Sequence, residues 1–405
     1  MPWFARRPST PPSDPDMAAP GPARERKSGP LVTLGIARAA PGVPASFSGL
    51  SREGYRTNPV VYRCVRLLSE TAASVPLRAT GTGADAVPGL LSAAGPMGGT
   101  RPLEALYGHL AIAGSAYLEA TVIGDRPAAI QALRPDRVSV ERDSRGRTIG
   151  WRVSGRTHRG EGRDRVVRFD PVTHRSALMA IHLFDPLDAG AGRGPLEACA
   201  TAVDIHNEGA RWTRSLLGNA ACPSGALVYS GGPGADRLSD SQFERLRDEL
   251  SRQHTGAGSA GRPLLLEGGL DWRPMSLSPS DMDFIAARRE AAREIALAFG
   301  VPPMLLGIPG DNTYANLREA NLAFWRQTVA PLVAKTADAV AAWLGPWFEG
   351  DRPGEDLALA PDLDAVPALS AERDALWARL GAATFLTDAE RRERAGLPPI
   401  PGGPA

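Results

Sequence analysis

The feature that most constrains the fold is a set of three long helical segments, two of which are joined by a loop rich in proline and glycine. The segments cover residues 192–220, 278–300 and 316–344. The loop between the second and the third begins with GVPPMLLGIPGD, residues 300–311. Proline ends a helix because it lacks an N–H and clashes with the preceding turn, and glycine permits sharp bends. The sequence therefore predicts long rods joined by a bent connection.

The first of these segments has the apolar periodicity of a long helix. It opens at Pro195 and ends at Gly218. Its apolar stripe repeats every seven residues and consists of Leu196, Val203, Ala210 and Leu217. At 1.5 Å per residue the helix is about 35 Å long. Gly209 weakens its middle, and His206 and Glu208, two positions apart, cannot face the same way.

The second and third segments carry helix-start signals. Ser280 and Asp283 have the spacing of a capping box at the second, and Asn316 and Glu319 have it at the third. Pro331 lies inside the third segment, where it removes a backbone hydrogen bond. The sequence therefore predicts that the third helix is kinked.

The remaining segments indicate a mixed α+β fold. A helix capped by Asn58 and a second helix over 101–116 precede short β-type runs between residues 117 and 185. Within these runs, DSRG at 143–146 predicts a hairpin turn. Residues 220–277 read as strand, helix and two strands, a module too small for a core of its own.

Composition excludes several classes of function. The net charge is +1, so no global field draws the chain to nucleic acid or to an anionic membrane. Cys64, Cys199 and Cys222 lack the spacing of a zinc or redox site, and we expect them to be reduced in the cytoplasm. We expect no signal peptide, because a polar stretch follows Arg6 and Arg7, and no apolar run is long enough to span a membrane.

No complete catalytic set is visible in the sequence, so we expect neither an enzyme nor a bound metal or cofactor. Two alternatives stay open. Asp281, Asp283 and Asp311 could hold magnesium for phosphodiester hydrolysis, although helix electrostatics and a turn also explain them. The chain could also be a soluble interaction module that binds through residues 220–277.

The order of the segments is similar to that of a known family. The helix NPVVYRCVRLLSETAASVPL is followed by LRPDRV in the β-rich stretch and by a helix running from GPLEAC to LLGNAACPSG. Further along come SPSDMDF, REIALAFGVPPMLLG, TYANLREA and TVAPL. Over roughly residues 45–345, this order resembles the portal proteins of tailed bacteriophages of the HK97 type, which phages, prophages and gene transfer agents carry.

The resemblance implies a structural protein and not an enzyme. Portal proteins form a ring, usually of twelve copies, at one capsid vertex of a virion or phage-like particle, after assembly in the host cytoplasm. Double-stranded DNA passes through the ring without sequence specificity during packaging and ejection. The implied partners are further copies of the chain, the terminase large subunit, a head–tail adaptor and the major capsid protein, with no membrane.

Matched by segment, the resemblance implies an α+β subunit with a β-rich wing, two long stem helices, a small α/β clip and a kinked tunnel helix. The implied order is a disordered arm (1–30), the wing (31–194), the first stem helix (195–219), the clip (220–277), the second stem helix (278–300), the tunnel loop (301–316), the kinked helix with further wing (317–346), and a reduced crown with the C-terminal tail (347–405).

Two sets of residues become candidate sites under this resemblance. The tunnel-loop set comprises Asn312, Thr313, Tyr314 and Asn316. These side chains offer hydrogen bonds without positive charge, so they would touch DNA without the phosphate affinity that hinders sliding. The stem set comprises Arg288, Arg289, Arg293, Glu290 and Glu294. They pair either along their own helix, at about 0.2–0.5 kcal/mol a pair, or with the neighbouring copy in a ring.

Overall fold

The structure is a computed structural model, and all the residues it describes belong to one compact unit, Gly42–Ala405. The described residues are 43–44, 46–93, 100–155, 162–188, 190–218, 225–229, 239–253, 270–274, 284–308, 314–349 and 356–396. The arm predicted over 1–30 lies outside them, and so does Cys222.

Helices make up most of the described chain. The α-helices are α1 (Phe47–Gly49), α2 (Pro59–Ser74), α3 (Val87–Ser92), α4 (Pro102–Ala113), α5 (Pro195–Ala198), α6 (Ala200–Gly218), α7 (Asp240–Gln253), α8 (Phe284–Ala298), α9 (Tyr314–Phe324), α10 (Ala330–Phe348), α11 (Ser370–Ala382) and α12 (Asp388–Arg394). A π-helix, Leu50–Tyr55, continues α1, and a second one, Trp325–Val329, joins α9 to α10. Single 3₁₀ turns lie at Pro135–Arg137, Pro303–Leu306, Leu363–Ala365 and Pro367–Leu369.

The strands form small antiparallel sheets. They are β1 (Leu77–Thr80), β2 (Ser115–Ile123), β3 (Arg126–Leu133), β4 (Val138–Arg142), β5 (Thr148–Val153), β6 (Arg165–Arg168), β7 (Leu178–His182), β8 (Gly225–Tyr229), β9 (Leu270–Pro274) and β10 (Ala358–Pro361). Among the described strands, β2 lies between β3 and β7, β5 lies between β4 and β6, β1 pairs with β10, and β8 pairs with β9. The predicted turn at 143–146 is confirmed, because it joins β4 to β5 with Gly146 at a φ of +77°. Sequence reasoning missed β1, β3 and β10.

One apolar core joins the early helices, the first sheet and the later long helices. Its fully buried side chains include Tyr107 on α4, Leu118 on β2, Leu196 on α5, Ile295 on α8 and Leu344 on α10. These residues come from most of the chain's length, so the fold depends on contacts between segments that are distant in sequence. The predicted α+β class is confirmed.

The first long helix is interrupted, and the prediction of one continuous helix from Pro195 is wrong. The structure has α5 and α6, separated at Cys199, whose backbone leaves the helical region at φ −102° and ψ 18°. The break lets Leu196 bury completely against Gly54, where a Cβ would lie 2.9 Å from a Leu196 methyl group. Tertiary packing therefore overrides a helical pattern that has no local stop signal.

The third long helix contains an irregular turn where the sequence predicts a kink. The π-helix Trp325–Val329 ends one residue before Ala330, and Pro331 is the second residue of α10. A π-helical turn widens the helix beside a proline that cannot donate a hydrogen bond, and such turns are a known cause of bends. The helix begins at Tyr314, two residues before the predicted start, so Asn316 lies inside the helix and is not its N-cap, and the first turn contains no acidic residue.

The segment after α10 returns to the beginning of the fold. Strand β10 pairs with β1, with Leu77 opposite Pro361, and Arg78 forms an ion pair with Asp362 at 2.8 Å. Leu359 on β10 is buried in the main core. No helix within the described residues is both long and apolar enough to cross a membrane.

Candidate functional site

A groove of about 430 Å³ runs along the C-terminal half of α8. Its walls are α8, the turn that follows, and the π-helix before α10. The lining residues are Glu290, Arg293, Glu294, Leu297, Gly300, Val301, Pro302, Pro303, Gln327 and Thr328. Aliphatic and proline side chains framed by charged ones are typical of protein–protein contact surfaces.

The turn after α8 has a backbone geometry that glycine permits. Gly300 has a φ of +63°, its N–H donates to the carbonyl of Leu297 at 3.0 Å, and Val301 N–H donates to the carbonyl of Ala296 at 2.9 Å. These bonds form a Schellman motif. Thr328 Oγ1 donates to the carbonyl of Gly300 at 2.7 Å, which ties the π-helix to the turn. A Cβ at position 300 would lie 2.7 Å from Thr328 Oγ1. The contact between the two walls of the groove therefore depends on the glycine.

Four of the five predicted stem residues lie on the outward face of α8. Arg289, Glu290 and Glu294 are exposed, and Arg293 is half-buried. Three of them, Glu290, Arg293 and Glu294, line the groove. Arg293 and Glu290 approach each other at 3.6 Å, one turn apart. Exposed pairs of this kind contribute about 0.2–1 kcal/mol at most.

Arg288, the fifth, lies against α6 of its own chain. A Cβ on Gly209 would lie 2.7 Å from Arg288 Cγ and 2.8 Å from Cδ, so the arginine stem packs directly on the glycine backbone. Arg288 Nε is buried and has no hydrogen-bond partner among the described residues. Gly209, which sequence reasoning treats only as a weak point in a helix, is what lets α6 and α8 approach at this point.

Between α2 and α6, three buried polar side chains form a joint. Asn58 Oδ1 accepts from the N–H groups of Val60 at 3.0 Å and Val61 at 3.2 Å, so the predicted cap is confirmed. Asn58 Nδ2 donates to Nδ1 of His206 at 3.1 Å and to Oδ1 of Asn207 at 3.0 Å. Because an amide nitrogen only donates, His206 Nδ1 must be the unprotonated, accepting nitrogen.

The electrostatics of this joint favour a neutral imidazole. Burial lowers the pKa of His206, and the charge of Arg288 lowers it further. Asn207 Nδ2 continues the network by donating to the carbonyl of Glu53 at 2.9 Å. Arg211, on α6, pairs with the Glu53 carboxylate at 3.2 Å. His206 is buried and Glu208 is exposed, which confirms that they face different ways.

The predicted tunnel-loop residues are only partly described. Asn312 and Thr313 lie outside the described residues. Tyr314 is the first residue of α9, and Asn316 lies in its first turn and is exposed. A turn at Pro303–Leu306, closed by Gly307 at a φ of +72°, separates α8 from the rest of this connection.

The chemistry expected of a metal-dependent hydrolase is not assembled by the described residues. Asp281, Asp283 and Asp311 lie outside them, and no group of three or more His, Cys, Asp and Glu side chains within them could hold a metal ion. Cys64 and Cys199 are buried free thiols, as expected of reduced cysteines. Burial raises the pKa of each to about 12, which keeps them protonated and unreactive.

Sequence reasoning missed Leu297 and Thr328 as parts of the groove. Leu297 is 79% exposed on the charged face of α8, and a single large aliphatic residue among charges was the available signal. Thr328 gave no signal, because its role depends on Gly300, far away in the sequence. A second cleft of about 390 Å³ lies between α2, α3 and α4, and Arg101 is the one charged residue among the described residues lining it.

The comparisons with known proteins agree with the segment order. A model of the family described as Phage portal protein matches residues 59–396. The chain belongs to the phage portal protein family. The resemblance inferred from the sequence is therefore confirmed. An uncharacterized protein of Rickettsia felis is 39% identical to this portal family member over 360 residues, covering 87% of this chain and 89% of the Rickettsia protein.

Solved structures of phage-like particles and of a phage portal protein share the fold. Two structures of a gene transfer agent particle, one of the native virion and one of the native neck computed with C12 symmetry, each contain a chain 43% identical to this one. Each match covers 90% of this chain and 97% of the other, with a TM-score of 0.65. The crystal structure of an HK97 family phage portal protein from Corynebacterium diphtheriae, 19% identical, matches in fold over 81% of this chain and 99% of its own, with a TM-score of 0.54.

Proposed function

We propose that this chain is the portal subunit of a phage-like particle. Twelve copies form a ring at one vertex, double-stranded DNA enters and leaves through the ring, and the neck attaches to it. The observation that carries this function is the 43% identity, over 90% of the chain, to a chain in a gene transfer agent neck computed with C12 symmetry. The particle is therefore the site of action, and the host cytoplasm is the site of assembly.

The groove beside α8 is the part of the described chain best suited to contact a neighbouring copy. It combines an exposed leucine and two prolines with charged residues, and it is held rigid by the Schellman turn and by Thr328. Interfaces place apolar groups centrally and charges around them. Arg289, Glu290, Arg293 and Glu294 face the neighbour in this arrangement, whereas Arg288 holds the two stem helices of one copy together.

The connection between α8 and α9 is the part proposed to line the DNA channel. From Gly300 to Leu317, this connection and the first turn of α9 contain no lysine or arginine, and Asp311 is their one charged residue. Asn312, Thr313, Tyr314 and Asn316 supply neutral hydrogen-bonding groups. Each positive charge on phosphate would add salt-dependent affinity, and a ring multiplies that affinity by its number of copies. A neutral connection lets the duplex slide.

The remaining partners follow from the same function. Residues 220–277 form the proposed clip, offered first to the terminase large subunit and then to the head–tail adaptor. The outer surface of the wing contacts the major capsid protein. The chain acts as a channel and not as an enzyme, and the domain boundaries given from the sequence are kept as part of this proposal.

Electron microscopy of the negatively stained, purified chain tests the ring directly. We expect annular particles with a central hole. Leu297→Asp, which puts a charge at the centre of the groove, should abolish the annuli, whereas Phe385→Asp, at an 82% exposed residue outside the groove, should leave them intact. A wild-type chain that stays a single copy at high concentration, alone and in particles, contradicts the function.

A charge placed in the connection tests the channel. We expect Asn312→Arg to slow packaging, measured as DNA retained per particle, because each copy would add a phosphate contact. Asn312→Gln keeps the neutral polar chemistry and is the matched control. Equal packaging and retention in both variants means that the connection does not face the DNA.

A further inference from the structure

Helix α8 carries opposite charges on the two flanks of its outward face. An α-helix turns about 100° per residue, so Arg289 and Glu294, five positions apart, point about 140° away from each other around the axis. Both side chains are exposed. The face buried against the core consists of Ala291, Ala292, Ile295, Ala296 and Phe299. One flank of the exposed surface is therefore positive and the other is negative.

Neither of these two charges has an ion pair or a hydrogen bond within the described part of the chain. Their neighbours on the helix do have contacts, because Glu290 approaches Arg293 at 3.6 Å and Arg288 packs on Gly209. Arg289 and Glu294 cannot pair with each other, since only residues three or four apart meet on a helix surface. Two exposed, unpaired charges of opposite sign thus remain, pointing to opposite sides.

A ring places opposite flanks of one helix against two different neighbours. In a rotationally symmetric ring the contact is heterologous, so the positive flank of one copy meets the negative flank of the next. We propose that Arg289 of each copy forms an ion pair with Glu294 of the adjacent copy, all the way around the ring. This inference rests on the proposed portal ring and names the charges that close it.

The same contact explains the exposed leucine. Arg289 and Glu294 are offset by five residues, or about 7.5 Å along the helix axis. Paired helices of adjacent copies are therefore tilted against the ring axis. The two long side chains span the remaining gap between the helices. Leu297 lies one turn beyond Glu294 on the same flank and is covered when the neighbouring helix docks there. Covering an exposed leucine and desolvating a charge pair occur together at well-packed interface centres.

Charge reversal tests the pair. Arg289→Glu and Glu294→Arg, made separately, each place like charges in contact at every interface. We expect either one to raise the concentration at half-assembly by about tenfold or more, measured by mass photometry at low salt. The double variant R289E/E294R restores opposite charges and should assemble within about threefold of the wild type.

Mixing the two single variants gives a sharper outcome. A copy with Glu at both positions and a copy with Arg at both positions complement each other on both flanks, so an equimolar mixture should form rings of alternating copies. Single variants that assemble like the wild type overturn the pair while leaving the ring intact. The pair is also overturned if both single variants lose the rings and neither the mixture nor the double variant restores them. A wild-type chain that never assembles overturns the ring itself. Circular dichroism melting of each variant confirms that the fold is unchanged.

Discussion

The two faces of α8 differ in composition and in the contacts they make within the chain. The inward face is built from small and aliphatic residues that bury completely, together with the stem of Arg288 packed on Gly209. The outward face carries Arg289, Glu290, Arg293, Glu294 and an exposed Leu297, and Glu290 and Arg293 form a weak ion pair. The apolar side chains of the inward face are buried within the chain, whereas Arg289 and Glu294 on the outward face are exposed and form no ion pair within the described residues.

In the proposed ring, this difference separates folding from assembly on a single helix. Changes on the inward face act on the free energy of unfolding, because they create cavities, clashes or unpaired polar groups. We expect changes on the outward face to leave folding nearly untouched and, in the proposed ring, to act on the contact between copies. The following substitutions measure the separation, with unfolding followed in urea at a protein concentration at which the copies are separate.

The largest expected effect comes from Ile295→Ala. Ile295 is fully buried, and removing a buried aliphatic side chain leaves a cavity, so we expect a loss of about 2–5 kcal/mol in the free energy of unfolding. Leu297→Ala, two residues along the same helix, is the matched control and should change it by less than about 0.5 kcal/mol. Equal losses at the two positions would erase the distinction between the faces.

The next effect is expected at the polar joint between α2 and α6. Asn58→Leu removes the helix cap and leaves His206 and Asn207 without their donor, which together should cost about 2–4 kcal/mol. Asn58→Asp keeps the capping oxygen and is expected to lose less. It should also raise the pKa of His206, because a carboxylate beside an imidazole favours the cation. A chemical-shift titration of His206 measures that change.

Gly209→Leu probes the close approach of α6 and α8. A side chain there collides with Arg288, and overpacking of this kind costs about 1–3 kcal/mol. Gly381, in α11, has no atom near the corresponding Cβ position, so Gly381→Leu should be neutral or stabilise by up to about 1 kcal/mol. Comparable destabilisation by both substitutions would show that helix propensity, and not the Arg288 contact, governs position 209.

The joint should also make stability depend on pH. The folded state lowers the pKa of His206 below its ordinary value of about 6.5, so folding disfavours proton binding. Its contribution is complete above that pH and is lost as the pH falls below it. His109, whose pKa burial lowers to about 4, acts in the same direction. His206→Gln accepts the same hydrogen bond without titrating, and its urea midpoint should fall less between pH 7 and pH 5 than that of the wild type.

The smallest effect on folding is expected from Arg293→Ala. Its pair with Glu290 is exposed, so the free energy of unfolding should change by less than about 0.5 kcal/mol. Ring assembly at low salt is the second measurement, because Arg293 lines the groove. A large loss of stability with unchanged assembly would reverse the roles assigned to the two faces.

The parts of the fold that follow from neighbouring residues were predictable. Asn58 caps α2 because its side chain reaches N–H groups two and three residues away. The turn at 143–146 follows from glycine beyond an aspartate. The family was also predictable, because it depends on the order of such local segments. The exposed and charged side of α8 was evident from helical spacing, although the place of Leu297 in it was not.

The sequence by itself thus determined most of the longer helices, most of the strands, the turn after α8 and the family. Only the tertiary structure decided the break at Cys199, the pairing of β1 with β10, and the inward direction of Arg288. The physical reason is the separation along the chain of the residues that interact. Caps, turns and periodicity act over a few residues, whereas Arg78 meets Asp362 across 284 residues, and such contacts exist only once distant segments are packed into one core.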